Sequence, residues 1–269
     1  MGLTVSYRLA LPEGRSPLEV LERIRRLALD LPVGGVTEMQ HFAGAQCDID
    51  VVGPADPWHW PLITALGVPV EVPPPDVRSY FFDTDTLRGH MVPAVEMHVF
   101  SVDPGAECGS ALFGLARYAV PVTELYSGQG DPPPVTPAGG WAWRGFCKTQ
   151  YASNVSEAHF LRCHLSLIAL LERAREVGCL TRAGDDGRFW ESRDVPRLLR
   201  ELRQMNAFVA AGVMALGSIP GLKPVGQAPV ERHPDWGAMP GAAAYAQQVG
   251  ALPEILRRLI GRDAEERPQ

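Results

Sequence analysis

The chain has 269 residues, of which 46% are hydrophobic and 21% are charged, and its formal net charge at pH 7 is -6. This composition provides a real core for one large domain or two small ones, and it excludes disorder of the whole chain. Residues 1–140 carry 17 acidic and 8 basic side chains, whereas residues 141–269 carry 14 acidic and 17 basic ones. The acidic first half argues against a nucleic-acid-binding protein, which needs a basic contact face.

The five cysteines are widely spaced and form no CxxC pair, so the sequence predicts neither a zinc ribbon nor a thioredoxin-type motif. Residues 1–7 lack the basic and apolar regions of a secretion signal. The longest apolar stretch, around residues 207–216, is shorter than the about 20 residues that span a bilayer. We therefore predict a reduced, cytoplasmic protein that does not act at a membrane.

In the first half, apolar and other side chains alternate over residues 5–10, which is the period of a strand. A helix is predicted to follow, because Ser16 can cap it, Pro17 suits its first turn and Glu19 completes a capping box. Pro32 ends this helix. Further strands are predicted at 33–42, 47–52, 77–83 and 92–102.

The second half begins with a predicted strand at 141–151. A helix at 156–177 follows, with Ser153 or Ser156 as its cap and Gly178 at its end. The turn residues from Gly184 to Gly187 predict a hairpin between 179–182 and 188–190. A long helix is predicted at 193–217, and a short one at 252–260.

These elements predict an α+β fold with mostly antiparallel sheets and packed helices. Strand–helix–strand units at 2–42 and 141–191 are compatible with two related βαβ-type lobes. Composition divides the chain further, into four segments. They are a strand-rich N-terminal lobe at 1–126, a Pro/Gly-rich linker at 127–140, a C-terminal α+β lobe at 141–220 and a Pro/Gly-rich tail at 221–269.

The most distinctive segment is the predicted strand at 141–151. Strand geometry places Arg144, Lys148 and Gln150 on one face, which predicts a site for an anion or a carboxylate, and Tyr151 is a further candidate ligand-binding residue. The alternative is an ordinary antiparallel strand with one wetted face. The leading prediction is a non-catalytic protein without an organic cofactor, which binds a small molecule or a protein partner at the cleft beside this strand.

The runs GFCKTQYAS, FLRCHLSLIALLERA and FWESRD resemble a family of bacterial proteins of similar length that has no assigned activity. The resemblance extends over about residues 100–200. It implies a shared fold and carries no implication for chemistry.

The predicted helix at 156–177 carries a candidate metal or thiol site. His159 and Cys163 lie at i, i+4 on one helix face and could bind a metal ion. Further ligands would come from Cys147, Cys108 or His98. Alternatively, Cys147 and His164 could form a nucleophile–base pair. In a third interpretation, these cysteines are buried and unreactive beside a hydrogen-bonded histidine.

The run YFFDTDTL at 80–87 resembles the first motif of haloacid dehalogenase-type phosphatases. The resemblance implies Asp83 as nucleophile, Asp85 as acid/base and a magnesium ion held by carboxylates. Lys148 would stabilise charge, and Asp185 or Asp186 would supply the distal carboxylate. The motif lies far from the start of the chain and without the alternating βα series of that family. A strand that ends in a capped turn is the alternative.

Overall fold

The structure, a computed structural model, describes residues 3–83, 88–123 and 134–217. The strands are β1 (Thr4–Ala10), β2 (Gly35–Val36), β3 (Gln40–Ala43), β4 (Val68–Pro69), β5 (Tyr80–Asp83), β6 (Arg88–Met91), β7 (Glu96–Asp103), β8 (Ala111–Arg117), β9 (Val122–Thr123), β10 (Trp141–Lys148) and β11 (Leu180–Asp185). The helices are α1 (Pro17–Leu29), α2 (His59–Thr64), α3 (Glu157–Val177), α4 (Phe189–Ser192) and α5 (Val195–Gly217). Asp85, residues 127–133 of the predicted linker, and the tail with its predicted helix at 252–260 lie outside the described residues.

Of the predicted capping signals, the N-caps of α1 and α3 are confirmed at Ser16 and Ser156. The hydroxyl oxygen of Ser16 accepts a hydrogen bond from the Glu19 amide at the start of α1, and Ser156 does the same for His159 at the start of α3. Gly178 ends α3 with φ 89°, a conformation that glycine adopts without strain. Within the part of the chain that the structure describes, no helix combines the length and apolarity needed to cross a membrane.

One sheet organises the fold, with the strand order β11-β1-β10-β8-β7 and with β2 and β3 both paired to the outer side of β7. All of these pairs are antiparallel. The predicted α+β class with mostly antiparallel sheets is therefore confirmed. Strand β1 lies between β10 and β11, so strands from both sides of the predicted linker share this sheet.

The two faces of the sheet have different environments. On one face, Val5, Tyr7 and Leu9 of β1 form the main core together with apolar side chains of α1 and α3. Trp143 and Cys147 of β10 are buried in the same core. The opposite face carries Ser6, Arg8, Arg144 and Lys148, because successive strand residues point to opposite sides. The short elements from α2 to β6 lie over part of this second face.

Two predicted elements are wrong. Residues 47–52 are not a strand, because a 3₁₀ helix ends at Cys47 and the Asp48 carboxylate then accepts the amide of Asp50 in a turn. Residues 179–190 are not a hairpin, because β11 pairs with the distant β1 and α4 begins at Phe189. The predicted strand at 141–151 is shorter than expected, since β10 ends at Lys148 and a 3₁₀ helix follows.

Candidate functional site

Three arginines stand side by side on the sheet face opposite α1 and α3. Arg8 of β1 lies directly opposite Arg144 of β10 on one side and Arg182 of β11 on the other. We call these three residues the arginine row. Directly opposite residues in an antiparallel pair have Cβ atoms about 4.5–5.5 Å apart, and like charges at that spacing destabilise the pair. The row therefore places three positive charges side by side, and their mutual repulsion does not stabilise the sheet.

The arginine row meets a small cavity of about 60 Å³. Arg8 and Arg144 line it from the sheet, and the segments over the sheet contribute further polar groups. These are Thr64, Tyr118, Thr123 and Thr136. Since one water needs about 10–15 Å³ of such space, the cavity has room for a few waters or one small anionic group.

Arg8 is held in place within this cavity, whereas Arg144 is at its exposed side. Arg8 is buried, and its guanidinium donates to the hydroxyl of Thr136 at 2.9 Å and to that of Thr181 at 3.4 Å. Arg144 and Arg182 are exposed, and neither forms an ion pair with a carboxylate of the described residues. The cavity therefore has one fixed guanidinium group, that of Arg8, and one adjustable group, that of Arg144, while Arg182 lies beside Arg8 on β11 and does not line the cavity. Guanidinium groups suit carboxylate or phosphate oxygens.

The structure divides the predicted anion-binding set. Arg144 lines the cavity, but Lys148 lies four residues along β10, about 13 Å away at the rise of a strand. Phe146 separates them, with its ring edge-on to Trp60 at 6.4 Å. Tyr151 lies partly exposed in the 3₁₀ helix after the strand.

Gln150 is fully buried and occupied by structural hydrogen bonds. Its side-chain oxygen accepts the Leu3 amide at 3.0 Å, and its Nε2 donates to the Asn206 side chain at 2.7 Å. Asn206 donates in turn to Ser153, which donates to the Gln150 carbonyl. This network connects the start of β1 to α5 and leaves the Gln150 side chain without a donor or acceptor facing the cavity.

His164 lies at the centre of a second buried network. Its Nδ1 is 2.9 Å from the Thr149 hydroxyl, and its Nε2 is 3.2 Å from the Asp185 carboxylate. Asp185 also accepts the amides of Gly187, Phe189 and Trp190, and so caps α4. Burial favours the neutral carboxyl, but these hydrogen bonds and the His164 ring hold the pKa of Asp185 below its ordinary value.

The predicted nucleophile–base pair of Cys147 and His164 is not formed. The Cys147 thiol donates to the Gly109 carbonyl at 2.9 Å, while both nitrogens of His164 have the partners named above. Burial, together with the neighbouring Cys163 and Asp103, raises the pKa of the Cys147 thiol to about 12. A nucleophilic cysteine needs the opposite shift.

His159 and Cys163 do share one helix face, with the imidazole Nε2 at 3.5 Å from the sulfur. The same Nε2 is 2.9 Å from the Ala106 carbonyl, so it carries the proton, and Nδ1 accepts from Arg162 at 3.0 Å. The thiols of Cys108 and Cys163 are neighbours, and each contributes to the pKa of the other. Burial is the main cause of the raised pKa of both thiols.

We predict slow alkylation of these thiols. At pH 8 a thiol with the pKa of Cys147 is ionised in roughly one molecule in 10⁴. Intact-mass analysis after brief iodoacetamide treatment should therefore show at most one modified cysteine, the partly exposed Cys108. Unfolding in guanidinium is the control and should expose all five. Rapid labelling of Cys147 in the folded protein would contradict this expectation and support the thiol-enzyme interpretation.

The described part of the motif, residues 80–83, forms β5, which pairs with the antiparallel strand β6. The exposed carboxylate of Asp83 is 3.8 Å from the exposed Arg88. Asp185 is buried on the helix-covered face of the main sheet, whereas the β5–β6 pair lies over the opposite face, where Met91 lines the cavity. Asp186 accepts the Thr4 amide at the end of β11. The phosphatase interpretation receives no support from this arrangement of its described residues.

Sequence reasoning identified Arg144 but missed Arg8 and Arg182. A usable signal was present for Arg8, a charged side chain in the middle of a short strand between Tyr7 and Leu9. No local signal places Arg182 beside it, because that requires the pairing of β1 with β11. The sequence analysis also missed a cluster of His41, Glu96 and His98. The Glu-x-His spacing in β7 puts two of these side chains on one strand face and was its available signal.

Comparison with known proteins gives no relative: no family model matches the chain, and neither a curated protein nor a solved structure matches it. The resemblance to a bacterial family therefore stays a prediction. The geometry of the chain itself is the basis for its functional interpretation.

Proposed function

We propose that this protein binds a small molecule through a carboxylate or phosphate group, which occupies the cavity at the arginine row. The supporting observation is the register of Arg8, Arg144 and Arg182 across three adjacent strands. The repulsion within such a row of like charges is unfavourable by itself. An anion bound between the side chains adds attractive interactions that outweigh this repulsion. Among the lining residues, Arg8 and Arg144 supply the guanidinium groups, while the hydroxyls of Thr64 and Tyr118 donate to the backbone carbonyls of Trp60 and Ala65.

The dimensions of the cavity support a small anionic head group. Sites that enclose a drug-sized ligand have volumes of about 300–1,000 Å³, whereas this cavity has about 60 Å³. A carboxylate or phosphate group would enter it, and the remainder of the ligand would extend toward the exposed Arg144. Planar guanidinium groups donate two parallel hydrogen bonds to such oxygens, which provides both affinity and orientation.

We further propose that this binding takes place in the cytoplasm. All five cysteines are unpaired, although Cys108 and Cys163 are close enough for their thiols to interact. Neighbouring free thiols persist in a reducing compartment, whereas oxidising compartments favour disulfides.

The test is titration of the untagged full chain with inorganic phosphate and, separately, with succinate, followed by calorimetry at constant ionic strength. Arg144→Gln should weaken binding about tenfold, because a hydrogen bond to a charged group contributes about 1.5–3 kcal/mol. Lys148→Gln is the matched control, since it removes one charge from the same face of the same strand. It should change the affinity less than twofold.

Two further results separate this proposal from its alternatives. Without the anion, Arg144→Gln should not lower the melting temperature, because it relieves repulsion from Arg8. Equal losses in the Arg144 and Lys148 variants would indicate non-specific charge attraction and would contradict the proposal. Absence of binding for both anions would contradict it as well.

A further inference from the structure

A cluster of two histidines and one glutamate lies on the helix-covered face of the sheet, at the start of β7. His41 of β3 lies directly opposite His98 of β7, and Glu96 lies two residues from His98 on the same strand face. The Nε2 atoms of His41 and His98 are 3.1 and 3.9 Å from the Glu96 Oε1. One ligand atom from each of the three residues lies within 4.8 Å of the others. We call these three residues the His–Glu cluster.

His98 is buried but makes no hydrogen bond with the described residues. Its Nδ1 is inaccessible and has no partner, and its Nε2 is 3.9 Å from the nearest carboxylate oxygen, which is too far for a hydrogen bond. The ring has aromatic neighbours, with His41 stacked at 4.4 Å and Trp141 at 5.7 Å. The unpartnered Nδ1 is a different ring atom from Nε2, and Nε2 is the nitrogen that faces Glu96 and has no hydrogen bond to it.

Glu96 is oriented toward the two histidines by a neighbouring arginine. The guanidinium of Arg117 donates to its Oε2 at 2.8 Å and lies over the Trp141 ring at 5.7 Å. The other oxygen, Oε1, is left toward His41 and His98. Ligating carboxylates in metal sites are commonly held in this way by a second hydrogen bond.

We propose that His41, Glu96 and His98 bind a divalent transition-metal ion, with Zn²⁺ as the best match. Imidazole and carboxylate are ligands that Zn²⁺ prefers, at about 2.0–2.2 Å. Tetrahedral geometry at those bond lengths separates the ligand atoms by about 3.3 Å. The observed distances of 3.1 and 3.9 Å to Oε1 lie on either side of that value.

Metal binding requires one adjustment, which the structure permits. The two imidazole planes are nearly parallel, at 11°, whereas a shared ion must lie in the plane of each ring. The His41 side chain is 52% exposed and can turn about its side-chain bonds, while the buried His98 stays in place. Three protein ligands then leave the fourth position of a tetrahedral ion to a non-protein ligand, as in catalytic zinc sites.

The experiment is calorimetric titration of Zn²⁺ into the EDTA-treated, untagged full chain in a phosphate-free buffer. We expect one ion per chain, with affinity reduced at least tenfold by His41→Ala and by Glu96→Gln. His41 is exposed, so its replacement should not prevent folding, and circular dichroism of each apo variant checks this. His90→Ala in β6 is the matched control and should bind as the wild type does.

Two results of the titration would contradict the proposal. The first is that the wild type does not bind Zn²⁺, and the second is that both cluster variants bind Zn²⁺ with unchanged affinity. The thiols of Cys108 and Cys163 are the competing site, and Cys163→Ser tests them. Binding that is lost in Cys163→Ser but retained in His41→Ala would assign the ion to the thiols instead.

Discussion

Asp185→Ala is expected to lower the free energy of unfolding by about 3 kcal/mol or more, because each buried donor that loses its acceptor costs about 1–3 kcal/mol. The carboxylate is fully buried, and it contacts His164 and three backbone amides. Alanine leaves these donors without acceptors inside the protein, and an unsatisfied buried group is itself destabilising. Because the same carboxylate caps α4, the variant also weakens the connection between β11 and that helix.

Urea unfolding at pH 7, followed by tryptophan fluorescence, measures this effect. Asp186→Ala is the matched control, since it removes the adjacent exposed carboxylate, which accepts a hydrogen bond from the Thr4 amide. We expect a loss below about 1 kcal/mol for this control. Equal losses in the two variants would contradict a special role for Asp185.

The same network predicts how stability depends on pH. Because the folded pKa of Asp185 is below its unfolded value of about 3.9, its carboxylate stabilises the folded state fully above that value. The contribution is lost as the pH falls through the folded pKa. The stability difference between the wild type and Asp185→Asn should therefore shrink as the pH falls below about 4. A constant difference down to pH 2 would contradict this assignment.

Gly145→Ala is expected to destabilise the protein by about 1–3 kcal/mol or more, because it overpacks a filled core. A methyl group at this position would overlap the Tyr7 ring, whose phenol oxygen would be 2.6 Å away. The ring cannot move aside easily. It is buried, stacks on Phe113 at 4.9 Å, and its hydroxyl donates to the Leu112 carbonyl at 2.8 Å.

A double-mutant cycle separates this clash from a general intolerance of alanine. Tyr7→Leu removes the ring, so Gly145→Ala should be less harmful in that background than in the wild type. Gly35→Ala in β2 is the control, since an added methyl group there meets no atom within 4 Å. Additive losses of Tyr7→Leu and Gly145→Ala would show that the two positions do not interact.

The well-predicted parts of the fold are those with local causes. Helices α1 and α3 begin after Ser16 and Ser156 because each hydroxyl satisfies an amide of its own helix. The period of two along β10 predicted that Arg144 and Cys147 lie on opposite faces of the sheet. Arg144 is exposed and Cys147 is buried, which confirms the prediction as far as Lys148, where β10 ends. These interactions join residues close in the chain, so a short sequence window contains both partners.

The errors occurred where a distant partner decides the local structure. Gly184 and its neighbours have the composition of a hairpin turn, but pairing with β1 extends β11 to Asp185. Gln150 has the polarity of a surface residue and is buried, because Leu3 and Asn206 supply its hydrogen bonds. Neither partner is visible in the local sequence.

The sequence by itself determined the α+β class, the two capped helices and the alternation that exposes Arg144. Tertiary structure alone decided the strand order. That order places Arg8 of β1 between Arg144 of β10 and Arg182 of β11. It also places His41 of β3 opposite His98 of β7. The physical reason is that a strand makes all of its ladder hydrogen bonds with other strands, which can lie far along the chain. The choice among these partners depends on the burial of the whole sheet.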